Sequence, residues 1–177
     1  TDNRPLRSGK GSLYEGGIRV PLIVRLPGVT PSGAICSTPV ICADFLPTIL
    51  DLCNEFGSAK TPIPTGLDGV SFAPLLKQPQ ARLRRTELFF HYPHYYFNTT
   101  PVSAVRSGDW KLLEYFEDNR VELYNLRDDP NEAHDLAAKN LDEVNKLRTR
   151  LHAWWKDADA LLPTKNPEFK PAANSRP

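Results

Sequence analysis

Gly9-Lys10-Gly11-Ser12-Leu13-Tyr14-Glu15-Gly16-Gly17-Ile18-Arg19-Val20-Pro21 is the stretch on which the reading of this chain turns. Glycines on both sides of Lys10 let the backbone turn tightly and come close to a ligand. A lysine on such a turn is a mobile point charge with three donors, suited to a small anion such as sulfate or phosphate. On spacing alone the pattern is equally that of a loop with a surface lysine. Directly after it, Leu22-Ile23-Val24-Arg25-Leu26 is nearly continuous apolar sequence ending in a Pro27-Gly28 turn. That predicts a strand covered on both faces, as in a parallel sheet.

Further along, Asp44 is a suitable N-cap and Pro47 sits in the first helical turn, where its missing N–H costs nothing. Phe45, Ile49, Leu50 and Cys53 then repeat at helical spacing. Thr61-Pro62-Ile63-Pro64-Thr65-Gly66 breaks regularity, and Val70 to Leu76 predicts a short turn of helix. A lone strand and helix cannot enclose a core. Residues 1 to 80 are therefore expected to be the closing βα segment of a larger α/β domain.

A second part, residues 84 to 162, predicts a small α+β unit. Glu87 to Tyr92, Ser103 to Arg106, Trp110 to Phe116 and Val121 to Leu126 read as four strands, with turns at Ser107-Gly108-Asp109 and Glu117-Asp118-Asn119-Arg120. Trp110, Leu112 and Phe116 alternate to one side, which fits a four-stranded antiparallel sheet with one covered face. The cover is a C-terminal helix that starts at Asn140 with a capping-box-like Glu143. Its apolar stripe is Leu141, Val144, Leu147, Leu151 and Trp154. From residue 163 to 177 the chain is proline-rich and expected to be an extended tail.

The opening stretch resembles the C-terminal signature of the type I, formylglycine-dependent sulfatases, where a Gly-Lys-Gly...Tyr-Glu-Gly-Gly-x-Arg-x-Pro run precedes a strand and a Pro-Gly turn. The resemblance continues through Asp44-Phe45-Leu46-Pro47-Thr48, Leu67-Asp68-Gly69-Val70-Ser71, Arg106-Ser107-Gly108-Asp109-Trp110-Lys111 and Val121-Glu122-Leu123-Tyr124-Asn125-Leu126. Landmarks in the family's order are far more specific than any one of them, and they identify only the last third of such an enzyme. The resemblance implies an alkaline-phosphatase-like α/β fold and hydrolysis of aryl or carbohydrate sulfates. It also implies a calcium ion and a formylglycine nucleophile whose motif and ligands lie upstream.

The chain itself lacks that nucleophile motif: Cys36-Ser37-Thr38-Pro39 places the proline one position late and has no following arginine. Asp2-Asn3 stands too close to Lys10 for the family's calcium pair, and one Asp-Asn dipeptide cannot satisfy a hard cation. No metal site is therefore expected here. The 177 residues hold no methionine and open on Thr1-Asp2-Asn3, which reads as a processed chain or part of a longer one. The expected partner is accordingly a missing N-terminal catalytic portion, and the fragment alone is expected to be inert. A net charge of +1 argues against a nucleic-acid or membrane-surface field. No run approaches the roughly 20 apolar residues of a membrane span. Cys36, Cys42 and Cys53 lack zinc-site spacing and read as buried small apolar groups, although an odd thiol could pair with a missing segment. By resemblance the compartment is periplasmic, secreted or lysosomal.

Lys10 is the leading catalytic and substrate-binding candidate. In the family the lysine of this turn contacts the sulfate group, and a fixed ammonium there stabilises charge developing on it. Glu15, Gly16, Gly17 and Arg19 are expected to be architectural, with Glu15 and Arg19 tying the turn to the sheet. His91 and His94, in His91-Tyr92-Pro93-His94-Tyr95-Tyr96, are further substrate-binding candidates, since aromatic faces pack on sugar or aryl rings and imidazoles donate to sulfate oxygens. The alternative is that the neighbouring aromatics are core and the histidines cap a strand. Arg106 is a weaker candidate, His134 and His152 read as surface residues, and Asn98-Thr99-Thr100 is a formal glycosylation sequon. Two rival functions stay open: a phosphate mono- or diester hydrolase of the alkaline phosphatase superfamily, and a noncatalytic module binding sulfated glycans.

Overall fold

The computed structural model describes residues 2–58 and 60–169. In chain order they form a one-turn helix α1 (Glu15–Ile18), a 3-10 turn (Cys42–Asp44) leading into α2 (Phe45–Phe56), and α3 (Ala73–Lys77). Strands β1 (Glu87–Tyr92), β2 (Val102–Ser107), β3 (Trp110–Tyr115) and β4 (Val121–Asn125) follow, then a second 3-10 turn (Ala137–Lys139) and α4 (Leu141–Asp157). The chain forms two compact units. One joins residues 1–19 to residues 87–177; the other is residues 20–86. The division thus falls at two places, and the lysine turn belongs with the sheet.

In the first unit the four strands run in the order β1-β2-β3-β4, every neighbour antiparallel. Gly108 adopts φ +58° in the β2–β3 turn, as a tight hairpin requires. One face of the sheet presents Val105, Leu112 and Leu123 to Val144, Leu147 and Leu151 of α4. Each of those three helix side chains contributes about 1.5–3 kcal/mol by burial. Trp154 extends the stripe by stacking on Phe89, with centroids 5.1 Å apart.

Three expectations for this unit are corrected. Leu141 is exposed and drops out of the stripe, and the Asn140 side chain donates to Leu136 O and makes no cap. The sheet also has two covered faces where one was expected. Its second face, bearing Val102, Ala104, Leu113, Tyr115 and Tyr124, is sealed by Leu13 and Tyr14 of the N-terminal segment. That cover comes from residues about 100 positions away, which local alternation does not encode.

In the second unit Phe72, Leu75 and Leu76 form a small core with Val40, Leu52, Ala81 and Leu83. The Asp44 carboxylate accepts from Ile41 N, Val70 N and the Arg85 guanidinium, so it ties three segments together and leaves α2 without a side-chain cap. Thr48 Oγ1 accepts from Phe72 N at 2.9 Å, and a Cβ on Gly69 would overlap Ala43 O. The Asp44–Thr48 and Leu67–Ser71 landmarks therefore meet in space.

The strand expected over Leu22–Leu26 does not form: these residues belong to no strand, and Ile23 is 92 % exposed. A strand exists only through hydrogen-bonded neighbours, and none of the described residues pairs with it. The apolar side of α2 is likewise uncovered within its unit, with Phe45, Leu46, Ile49 and Phe56 exposed. Cys36, Cys42 and Cys53, expected to be buried, are exposed and free. No helix among the described residues is long and apolar enough to cross a membrane. Residues 163–169 hold no helix or strand; the rest of the expected tail lies outside the described residues.

Candidate functional site

Lys10 stands at the tip of a turn that is braced from below. Ser12 N and Ser12 Oγ both donate to Gly9 O, at 3.1 and 3.0 Å. Gly16 N donates to Arg7 O at 3.0 Å and Asn3 Nδ2 to Gly16 O at 2.5 Å, closing the loop at its base. A Cβ on Gly16 would overlap the Arg7 and Ser8 carbonyls, and one on Gly17 the Ser12 carbonyl, so the Glu-Gly-Gly run is required by close backbone approach. Lys10 is exposed, and its ammonium has no ion-pair partner among the described residues.

Beneath the turn lies a buried charge cluster. Glu15 Oε1 accepts from Lys111 Nζ at 2.9 Å, and Lys111 Nζ is 2.8 Å from Glu132 Oε1. Glu132 Oε2 accepts from Glu15 N at 2.6 Å, and the Arg106 guanidinium is 3.6 Å from Glu15 Oε2. Lys111 and Glu132 are fully buried. Burial pushes the Glu132 carboxyl above its ordinary range, against the opposing pull of Lys111. Arg7 completes the frame: it lies 3.9 Å over the Tyr14 ring and donates to Tyr124 Oη and Glu132 O, both at 2.8 Å. Tyr14 Oη in turn donates to Glu122 Oε2 at 2.7 Å. Burial, with the bonds to Tyr115 and Glu122, pushes this phenol well above its ordinary range.

Glu15 thus does tie the turn to the sheet. Arg19 has no part in that tie, being exposed and making no side-chain hydrogen bond among the described residues. Arg106 faces Glu15. Lys111 and Glu132 were not singled out from the sequence. A signal was present in Trp110-Lys111-Leu112-Leu113, where a lysine shares a strand face with Leu113 and Tyr115 and so needs a buried partner.

The two candidate histidines part company. His91 Nδ1 is 2.6 Å from Ser103 Oγ, its Nε2 is 3.0 Å from Leu161 O, and its ring lies edge-on to Phe116 and Trp154. Both ring nitrogens are engaged within the fold on the α4 side of the sheet. His94 is exposed and packs edge-on against Tyr92 in the loop after β1. That loop returns to the lysine turn: Asn98 Nδ2 donates to Ser8 Oγ and Lys10 O, each at 3.3 Å, and the Tyr96 ring lies against Gly11. His134 is an exposed partner of Asp129. His152 stacks on Trp155 and sits 2.8 Å from Glu114.

Among the described residues no group of three His, Cys, Asp or Glu side chains can hold a metal ion. Asp2 is spent on Arg4, whose hydrogen bonds hold its carboxyl below the usual range. Chemically, the site is one exposed, rigidly based ammonium beside an aromatic loop. It can hold an anion.

Residues 9–158 match the family described as N-sulphoglucosamine sulphohydrolase, C-terminal. A sulfatase of Formosa agariphila is 40% identical over 169 residues, covering 87% of this chain and 30% of that protein. An N-acetylglucosamine-6-O-sulfatase of Bacteroides thetaiotaomicron is 28% identical over 85% of this chain and 28% of its own length. In structure, the chain is similar to Ps i-CgsB in complex with k-i-k-neocarrahexaose, with TM-score 0.66 and 28% identity, over 86% of this chain and 32% of that one. The chain spans less than a third of the length of these relatives.

Proposed function

The chain belongs to the sulfatase family, as its C-terminal region, and on that premise we propose that it supplies the sulfate-holding lysine of a longer sulfuric ester hydrolase. The observation that carries this is Lys10, an exposed ammonium without an ion-pair partner among the described residues, on a turn fixed by Glu15, Gly16 and Gly17. Sulfate-ester cleavage spreads charge over the transferring group and the leaving oxygen. A lysine carried on a braced turn beside that group can stabilise the charge as it develops.

The substrate class is a sulfated glycan or aryl sulfate. The carbohydrate named for the B. thetaiotaomicron relative, and the oligosaccharide bound to Ps i-CgsB, support the glycan. Calcium and formylglycine chemistry, which the resemblance implies, would be supplied by the remainder of the parent. This chain alone is inert. The uncovered side of α2 and the exposed apolar residues Val20, Leu22, Ile23 and Val24 are the surfaces that remainder would cover, since large exposed apolar patches mark interfaces. His94 is retained as a substrate contact and His91 as a support of the loop that bears it. The parent acts outside the cytosol, in a periplasmic, secreted or lysosomal setting.

The test is turnover of 4-nitrophenyl sulfate by the parent and by its Lys10→Ala variant. Loss of about 100-fold in kcat/KM, with weaker inhibition by inorganic sulfate, is expected for the variant. Preferential turnover of 4-nitrophenyl phosphate would overturn the reading in favour of a phosphate ester hydrolase. Tight binding of a sulfated glycan without turnover would leave a binding module.

A further inference from the structure

Building on the sulfatase reading of the Lys10 turn, we propose that the loop Tyr95–Thr99 is a specificity element of the same site. In it Asn98 positions the lysine turn, and the exposed rings of Tyr95 and Phe97 receive the sugar or aryl ring that carries the sulfate. Tyr96 N donates to Thr99 O at 3.0 Å and Thr99 N to Tyr96 O at 3.2 Å, so the loop closes on itself with Phe97 and Asn98 at its tip. From that tip Asn98 Nδ2 reaches Ser8 Oγ and Lys10 O, and its Oδ1 is buried. Tyr96 meanwhile lies against Gly11, which holds φ +94°. Three loop residues in a row therefore address one short turn: two grip it at Gly11 and at Ser8–Lys10, and the third projects outward.

The projecting rings present apolar surface to solvent beside the lysine turn. Phe97 is 84 % exposed and Tyr95 68 %, and the Tyr96 and Phe97 rings lie 4.6 Å apart. An inorganic anion gains nothing from such a surface. A ring that bears a sulfate can place the anion on Lys10 and its C–H or π face on the aromatics. The asparagine of the formal sequon has its Nδ2, the atom a glycan would modify, turned toward Ser8 and Lys10. Its role in this fold is positional.

The test separates this proposal from the reading beneath it. In the parent protein, KM is measured for 4-nitrophenyl sulfate and N-acetylglucosamine 6-sulfate, and the inhibition constant for inorganic sulfate, which has no ring. Phe97→Ala and Tyr95→Ala are expected to raise KM about tenfold and to leave the sulfate inhibition constant within twofold. Asn98→Ala is expected to raise KM and the sulfate inhibition constant together, at an unchanged melting temperature. Asn98→Asp, which loses the donor, should behave the same way. Ring variants with unaltered KM, or Asn98 variants with unaltered sulfate inhibition, overturn the proposal while the sulfatase reading stands. An unaltered parent that turns over neither ester and ignores sulfate overturns that reading itself.

Discussion

Lys111 Nζ donates to Glu15 Oε1 across 2.9 Å, with neither side chain more than 2 % exposed, and so joins the lysine turn to the third strand of a sheet 96 residues away. Charges are expensive to bury, and this pair is retained together with Glu132 and with Arg106 at its edge. Its physical effect is to make the placement of Lys10 depend on the sheet and not on the short loop alone.

Replacing Lys111 by Ala strands two buried carboxylates. The expected cost is about 3–5 kcal/mol, read as a large drop in the melting temperature of the parent. The gentler Lys111→Arg should lose less stability and still reduce turnover, because a planar fork does not reproduce a point charge shared by Glu15 and Glu132. Full activity in Lys111→Arg would show that the turn does not need this geometry.

Gly11→Ala is disfavoured twice, by φ +94° and by overlap with Tyr96. We expect about 1–2 kcal/mol from the left-handed backbone alone. The double variant Gly11→Ala/Tyr96→Ala should recover the steric part only. Complete recovery of stability would mean that backbone strain contributes nothing.

Burial works against the charged form of Asp44, yet hydrogen bonds from Arg85, Ile41 N and Val70 N outweigh it and hold the carboxyl below its ordinary range. A depressed folded-state pKa stabilises the fold above the unfolded value of about 3.9, and that contribution disappears as pH falls through the lower folded value. Acid melts of the parent should therefore steepen below about pH 4. In Asp44→Asn that part of the slope should be missing, and at neutral pH the loss of the Arg85 pair should cost about 3 kcal/mol. Parallel pH profiles for the two proteins would contradict the assignment.

His91→Ala removes bonds to Ser103 and Leu161 and should lower the melting temperature with little change in KM. His94→Ala should do the reverse, raising KM at an unchanged melting temperature. Swapped outcomes would place His91 at the substrate.

The helical period of residues 141–157 and the strand alternation of residues 87–125 were readable because each depends on neighbours within a few positions. The same logic failed at Leu22–Leu26, where an apolar run predicts a strand but only hydrogen-bonding neighbours make one. On α2 it found a real apolar stripe, which its own unit leaves exposed. Lys10 was visible from its glycines. Lys111, Glu132 and Asn98, which brace or grip its turn, were not.

Residue order alone was enough for the four strands, the C-terminal helix, the turns between them, the glycine-flanked lysine turn and the family landmarks. Those follow from backbone sterics and hydrophobic period. It took the folded chain to show that the second face of the sheet is closed by residues 13 and 14, that Glu15 finds Lys111, that Asn98 grips the lysine turn, and that His91 is held within the fold while His94 is exposed. Each is a meeting of segments distant along the chain, set by which charges and rings must find partners once water is excluded, and no local pattern records it.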